Sequence, residues 1–232
     1  MSTVHIISAG AMQAVITALV PAIERATGAK VAATFGAVGQ QRARVLADES
    51  ADAILLTPAM LDELAGSGWI VPGSQRTLGE VGMGVVVPLG HPAPDVSTEQ
   101  AFAAAMRAAS LVVYPDPQIA SAGRHCDDAL RRLGLRDELA DRIRHFPNGN
   151  VSMTWLGEQR LAGSIGVTQI SEIRPIPTIT LIAEMPGSLQ VITAYGAGLA
   201  AKGNRAFGQA VLDVLASPEG RAEIERAGFT PR

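Results

Sequence analysis

Residues 114–135 read YPDPQIASAGRHCDDALRRLGL, and an apolar run, Leu111-Val112-Val113-Tyr114, leads into them. Pro115, Asp116 and Pro117 make a turn, and the small residues Ala120, Ser121, Ala122 and Gly123 follow. Leu130 and Leu133 then recur at helical spacing. A strand that passes through a loop of small residues into a helix leaves the first amide N–H groups of that helix without intrahelical acceptors. The helix dipole adds partial positive charge there, so the end suits an anion. Arg124 and His125 fall in the first turn, where a cation opposes the dipole unless a negative ligand is expected. The alternative is a surface arginine and a packed or solvated histidine. Repetition of the same pattern elsewhere in the chain favours the anion.

From the start of the chain, Val4-His5-Ile6-Ile7 is a short apolar run of the buried parallel type. Ser8-Ala9-Gly10-Ala11 follows, and then Met12, Val15, Ile16, Leu19 and Ile23 at helical spacing up to Gly28, with a kink expected at Pro21. A second strand over 30–35 leads through Gly36-Ala37-Val38-Gly39 into a helix over 40–46. A third strand over 53–56 meets Thr57-Pro58, which should cap the next helix. Strand and helix alternating at this spacing make an α/β fold, with ligands at the carboxyl ends of the strands. Further on, the expected elements are a strand over 81–87, a capping box at Ser97-Thr98-Glu99-Gln100, and a brief strand over 143–146. A helix near Val151, a strand over 163–167, a long apolar strand over 189–195 and two closing helices complete the set.

Composition narrows the function. Among 232 residues, 47% are hydrophobic and 18% charged, as in an ordinary globular protein. Net charge is −3, no block of like charge occurs and only 4% of residues are aromatic, so nucleic acid is not an expected partner. Cys126 is the single cysteine, and the four histidines are scattered. Neither a disulfide framework nor a metal site is expected. The chain has no GxGxxG and no GxxxxGK[ST], so no nucleotide cofactor is expected, nor any other. The opening MSTVHIISAGAMQ has no basic n-region and no apolar h-region. The expected location is cytoplasmic as written, or periplasmic if this is a trimmed mature form.

Five loops stand at strand ends: residues 8–11, 36–40, 121–124, 148–151 and 169–172. Through IISAGAMQAV, TFGAVGQQRARVLADESADAILLT, VVYPDPQIASAGRHCDDALRRLGL and GSIGVTQISEI, the chain resembles, over nearly its whole length, the molybdate-binding branch of the type II periplasmic solute-binding proteins. The resemblance implies two Rossmann-like α/β lobes with mixed, mostly parallel sheets joined by two crossing strands. Residues 1–81 with 193–232 would form one lobe and 82–192 the other, closing by a hinge on a small anion in the cleft. It implies a monomer, and a membrane transporter as partner only if the protein is exported.

Carried over position by position, the resemblance places oxyanion contacts near Ala11, Val38, Ala122, Val151 and Gln169. Ala11 and Ala37-Val38-Gly39 stand where hydroxyl side chains are implied, and Gln169 where a tyrosine is implied. A charged tetrahedral ligand would lose donors worth roughly 1.5–3 kcal/mol each. Ser8, Gly10, Gly36, Gly39, Gln40, Arg42, Ser121, Gly123, Arg124 and Asn150 complete the candidate ligand set. These side chains suit a carboxylate, whose two oxygens an arginine grips at once. Arg42 and Arg44 cannot both face the ligand, and Arg42 is chosen. The same resemblance extends to aconitate isomerases, cofactor-independent enzymes that move a proton along an allylic tricarboxylate. In that reading Arg42 and Arg124 hold carboxylates, and His125 or Glu172 is the base.

Overall fold

A computed structural model describes residues 2–232. The chain divides into two compact units, Met1–Glu80 with Thr193–Arg232 (unit 1), and Val81–Ile192 (unit 2). Unit 1 carries β1 (Thr3–Ala9), α1 (Gln13–Thr27), β2 (Lys30–Gly36), α2 (Val38–Leu46), β3 (Ala53–Leu56), α3 (Pro58–Gly66) and β4 (Arg76–Val81, whose last residue opens unit 2). Unit 2 runs from β5 (Met83–Pro88) through α4 (Glu99–Ala108), β6 (Leu111–Pro115), α5 (Ser121–Arg132), β7 (Ile143–Phe146), α6 (Gly149–Gln159), β8 (Ser164–Gln169) and α7 (Ile170–Ile173) to β9 (Ile179–Glu184). The chain then returns to unit 1 as β10 (Thr193–Leu199), α8 (Arg205–Ala216), α9 (Pro218–Arg226) and β11 (Thr230–Pro231).

Each unit is built on one mixed sheet, ordered β11-β4-β10-β3-β1-β2 in unit 1 and β7-β6-β8-β5-β9 in unit 2. The inner pairs β1–β2, β1–β3, β6–β7 and β6–β8 are parallel, while β10–β3, β5–β8 and β5–β9 are antiparallel. Period-2 alternation sorts the apolar strands of unit 2 onto two cores. Val85, Val87, Val112 and Tyr114 pack with Phe102, Met106 and Leu130. Val86 and Val113 turn the other way, onto Met153, Leu156 and Ile173. In unit 1, α1 buries Val15, Ile16, Leu19 and Ile23, and packs against α8 and α9. Among the described residues, no helix is long and apolar enough to cross a membrane, and no cluster of His, Cys, Asp or Glu could hold a metal ion.

Several local expectations need correction. The strand expected over 81–87 is interrupted at Gly82, because the Gln190 carboxamide takes over the pairing there. Gln190 accepts from the Met83 amide at 2.8 Å and donates to the Met83 carbonyl at 3.1 Å, and a Cβ on Gly82 would stand 2.6 Å from its Nε2. The strand expected over 189–195 is a 3-10 turn, Gly187–Leu189, with regular pairing beginning only at Thr193. Strand β9, hidden between prolines, was not anticipated. The capping box is simpler than expected: Thr98 caps the Ala101 amide at 3.1 Å, while Glu99 turns to Ser188. Thr57 precedes α3 without a side-chain cap, although Pro58 does hold the first helical position. Pro21 lies within a continuous α1. The carbonyl it leaves without a donor, four residues back at Thr17, is on the exposed side of the helix where water can serve it.

Candidate functional site

In unit 1, β1 and β2 run parallel in a register that pairs Ser8 with Phe35 and Ala9 with Gly36. Their carboxyl ends therefore stand side by side. From them the chain enters a 3-10 turn, Gly10–Met12, leading to α1, and through Ala37 enters α2. The N-cap residues are Ala9 for the turn and Ala37 for α2, and neither offers a side-chain acceptor. Alanine is among the poorest N-caps, so the amides of Val38, Gly39 and Gln40 begin α2 without help from the cap. Gly10 and Ala11 are buried, Val38 is half-buried, and Gly39 and Gln40 are exposed. Gly36 lets two glutamines close in: a Cβ there would lie 2.5 Å from Gln41 Nε2 and 3.1 Å from Gln40 Oε1, so the Gln41 carboxamide would have to shift.

In unit 2 the parallel strands β7, β6 and β8 send three helices from one end of the sheet. Pro115 pairs with Phe146, and the Asp116 amide donates to the Phe146 carbonyl at 2.7 Å, so the starts of α5 and α6 adjoin. Ala120 is the N-cap of α5 and makes no side-chain bond. The first three amides of α5, those of Ser121, Ala122 and Gly123, have no acceptor within the helix. Gly123 is needed because a Cβ would overlap the Pro115 carbonyl, where α5 presses on the end of β6. Arg124 is exposed and, among the described residues, forms no salt bridge. His125 is half-buried. Burial lowers its pKa below the usual 6.5, and Arg124 adds to this against the opposing pull of Asp128.

The α6 start is different, and three expectations change with it. Asn148 is a true N-cap, its Oδ1 accepting from the Val151 amide at 2.9 Å. The Glu172 carboxyl, 5% exposed, accepts from the Gly149 amide at 3.2 Å and from Thr168 Oγ1 at 2.7 Å. The amides of Gln169 and Asn150 also donate to it. The amides of Asn150 and Val151 are thus committed to the chain's own acceptors instead of a ligand. Glu172 itself is not placed as a base, since its oxygens are buried and enclosed by donors. Burial pushes its pKa up, and the four hydrogen bonds pull back without reversing the direction.

Other predicted residues are also placed away from a ligand role. Arg42 pairs with Glu63 of α3, its Nε 2.9 Å and its Nη2 2.5 Å from Oε1, because one turn of α2 brings it beside that carboxylate. It is not available as a grip. Ser8 is fully buried and its hydroxyl donates to the Ala9 carbonyl at 3.1 Å. Gln169 is 2% exposed and ends β8 in register with Met83. The structure brings Ser8, Gly10, Ala11, Gly36, Val38, Gly39 and Gln40 to one end of unit 1, and Ser121, Ala122, Gly123, Arg124, Asn150, Val151 and Gln169 to one end of unit 2. Cavities of about 270 and 320 Å³ in unit 1 and about 220 Å³ in unit 2 are lined by none of these residues. Sequence reading missed Gln41, buried against Gly36 and accepting from Thr34, and Thr168 beneath Glu172. The Asn148-Gly149 pair before a helix was a readable N-cap signal.

Residues 4–230 match the family model for bacterial extracellular solute-binding proteins. The chain belongs to that family. This solute-binding protein is 29% identical over 238 residues to an aconitate isomerase from a Pseudomonas species, covering 99% of the chain and 88% of the relative. Among solved structures, the periplasmic molybdate-binding protein of Azotobacter vinelandii superposes with a TM-score of 0.76 at 19% identity over 98% of both chains. The sulfate-binding protein of Mycobacterium tuberculosis superposes with a TM-score of 0.75 at 13% identity, over 100% of this chain and 87% of the other. The solute-binding protein therefore has the type II periplasmic binding-protein fold, with two α/β units and mixed sheets. At such identities the likeness concerns fold alone.

Proposed function

We propose that this solute-binding protein takes a small anion bearing carboxylates. One observation carries the reading: two of the helices that begin at strand carboxyl ends, α2 and α5, start behind alanine, at Ala37 and Ala120, and have no side-chain cap. Ala9 plays the same part before the turn into α1. Helices α4, α6, α8 and α9 are instead capped by side chains, those of Thr98, Asn148, Asn204 and Ser217. A ligand anion would supply the missing cap, and each such contact at a helix start is worth about 0.3–1 kcal/mol, or up to ~2 kcal/mol when partly buried. Arg124, exposed beside the uncapped amides of α5, favours a carboxylate because its fork matches two coplanar oxygens. Thermal shift against molybdate, sulfate, phosphate and a panel of di- and tricarboxylates tests the reading. Stabilisation by carboxylates is expected. Stabilisation by oxyanions alone would overturn the ligand class, and by none of them the anion reading.

A second reading has its own support in the aconitate isomerase relative, which this chain matches over 99% of its length. His125, held neutral by burial and adjoining Arg124, is the available base. It would take a proton from the methylene carbon beside a carbon–carbon double bond, and the double bond would shift as the proton returns at the far end of the allyl system. Arg124 would hold a carboxylate while charge spreads toward it. Proton NMR of aconitate in deuterium oxide tests this. Exchange or isomerisation supports catalysis, and binding without exchange leaves a receptor. A membrane transporter is the partner in the receptor case, if the protein is exported.

A further inference from the structure

We propose that Glu172 is a specificity-determining residue: its carboxyl group acts as a resident acceptor at the start of α6 and, together with Asn148, weakens tetrahedral dianions relative to carboxylates. The inference rests on the anion-binding reading above and deepens it. Helices α5 and α6 begin side by side from neighbouring strands of one sheet, yet their first amides are treated in opposite ways. Behind Ala120 the three leading amides of α5 face no side-chain cap. At α6 the amides of Gly149 and Asn150 donate to Glu172, and that of Val151 to Asn148 Oδ1.

The arrangement is built and not incidental. Gly149 lets the carboxyl approach this closely, because a Cβ there would overlap both Glu172 Oε2 and Thr168 Oγ1. Thr168, on the last turn of strand before α7, points its hydroxyl at the same oxygen at 2.7 Å. Every group that meets the carboxyl is a hydrogen-bond donor, and none of them is a cation. These are the donors a bound anion would use, and the chain fills them with its own carboxyl oxygens. A guest at this end of unit 2 therefore finds donors on α5 and no free amide among the first three of α6. A planar carboxylate has two oxygens to satisfy and can manage with α5 and Arg124. A tetrahedral dianion has four oxygens and twice the charge, so it loses more.

Calorimetric titration of the wild type, Glu172→Gln and Asn148→Gly with molybdate, sulfate and tricarballylate tests this. Wild type is expected to bind tricarballylate at least about tenfold more tightly than either oxyanion, and in the variants that preference should shrink by roughly tenfold, the worth of a restored donor to a charged acceptor. Glycine costs an N-cap only a few tenths of a kcal/mol, so Asn148→Gly should fold even if Glu172→Gln does not. An unchanged preference in the folded variants, or a wild type that binds molybdate as tightly as tricarballylate, overturns the proposal. If wild type binds neither tricarballylate nor an oxyanion while the variants gain oxyanion affinity, the carboxylate reading alone falls and this one stands.

Discussion

The Tyr114 phenol donates to Asp127 Oδ1 at 2.9 Å, tying the carboxyl end of β6 to the second turn of α5. Arg131 Nε reaches Oδ2 at 2.7 Å and Arg136 Nε reaches Oδ1 at 2.5 Å, so one carboxylate 5% exposed gathers three donors. This knot holds the helix whose start carries Ser121–Arg124. It lies away from the ligand amides and makes a clean stability test.

Asp127→Asn should lower stability by about 2–3 kcal/mol in urea unfolding, because two guanidinium groups lose their charged acceptor. Burial works to raise the Asp127 pKa, but the bonds from Arg131, Arg136 and Tyr114 outweigh it and hold the group below its ordinary 3.8. A depressed folded value means the contribution is fully present above about pH 3.8 and is lost as pH falls through the folded value. The difference between wild type and Asp127→Asn should therefore close in acid and persist at neutral pH.

Gly123→Ala should destabilise the protein by about 1–3 kcal/mol, although alanine is normally the better helix residue by about 1 kcal/mol. The sign is the test. The new methyl would overlap the Pro115 carbonyl, a backbone atom that cannot swing aside. A stabilised variant in thermal unfolding would show that α5 does not press on β6 there.

Arg124→Ala and Arg42→Ala should separate. Arg124 is exposed and has no salt-bridge partner among the described residues, so its loss should leave stability within about 0.5 kcal/mol while weakening anion binding roughly tenfold or more. Arg42 is engaged by Glu63, so its loss should cost up to about 1 kcal/mol and leave calorimetric affinity unchanged.

His125 should titrate below 6.5 by NMR, since burial disfavours its charged form and Arg124 repels it, against the pull of Asp128. With the folded value depressed, its contribution to stability is present above pH 6.5 and is lost as pH falls through the folded value. His125→Gln should narrow the acid-side loss measured by melting temperature between pH 7 and 5.

Periodicity made β1, α1, β3, β6 and α5 readable, because each is a local run whose apolar spacing matches its own backbone repeat. The interruption at Gly82 was not readable, since it depends on Gln190, more than a hundred positions along the chain. Strand β9 was hidden for another reason. Its alternation, ITLIAE, is short, and the prolines on either side read as loop.

The candidate site divides in the same way. The order of residues alone determined that small residues and alanines stand where helices open after strands, at Ala9, Ala37 and Ala120, and hence that certain amides go uncapped. Only the tertiary structure decided which donors and charges remain for a ligand. Glu63 takes Arg42, and Glu172 takes the Gly149 amide at the start of α6. The physical reason is reach. A backbone amide is released by local geometry that sequence spacing encodes, whereas a side chain claims it across the fold, with direction and burial set by packing.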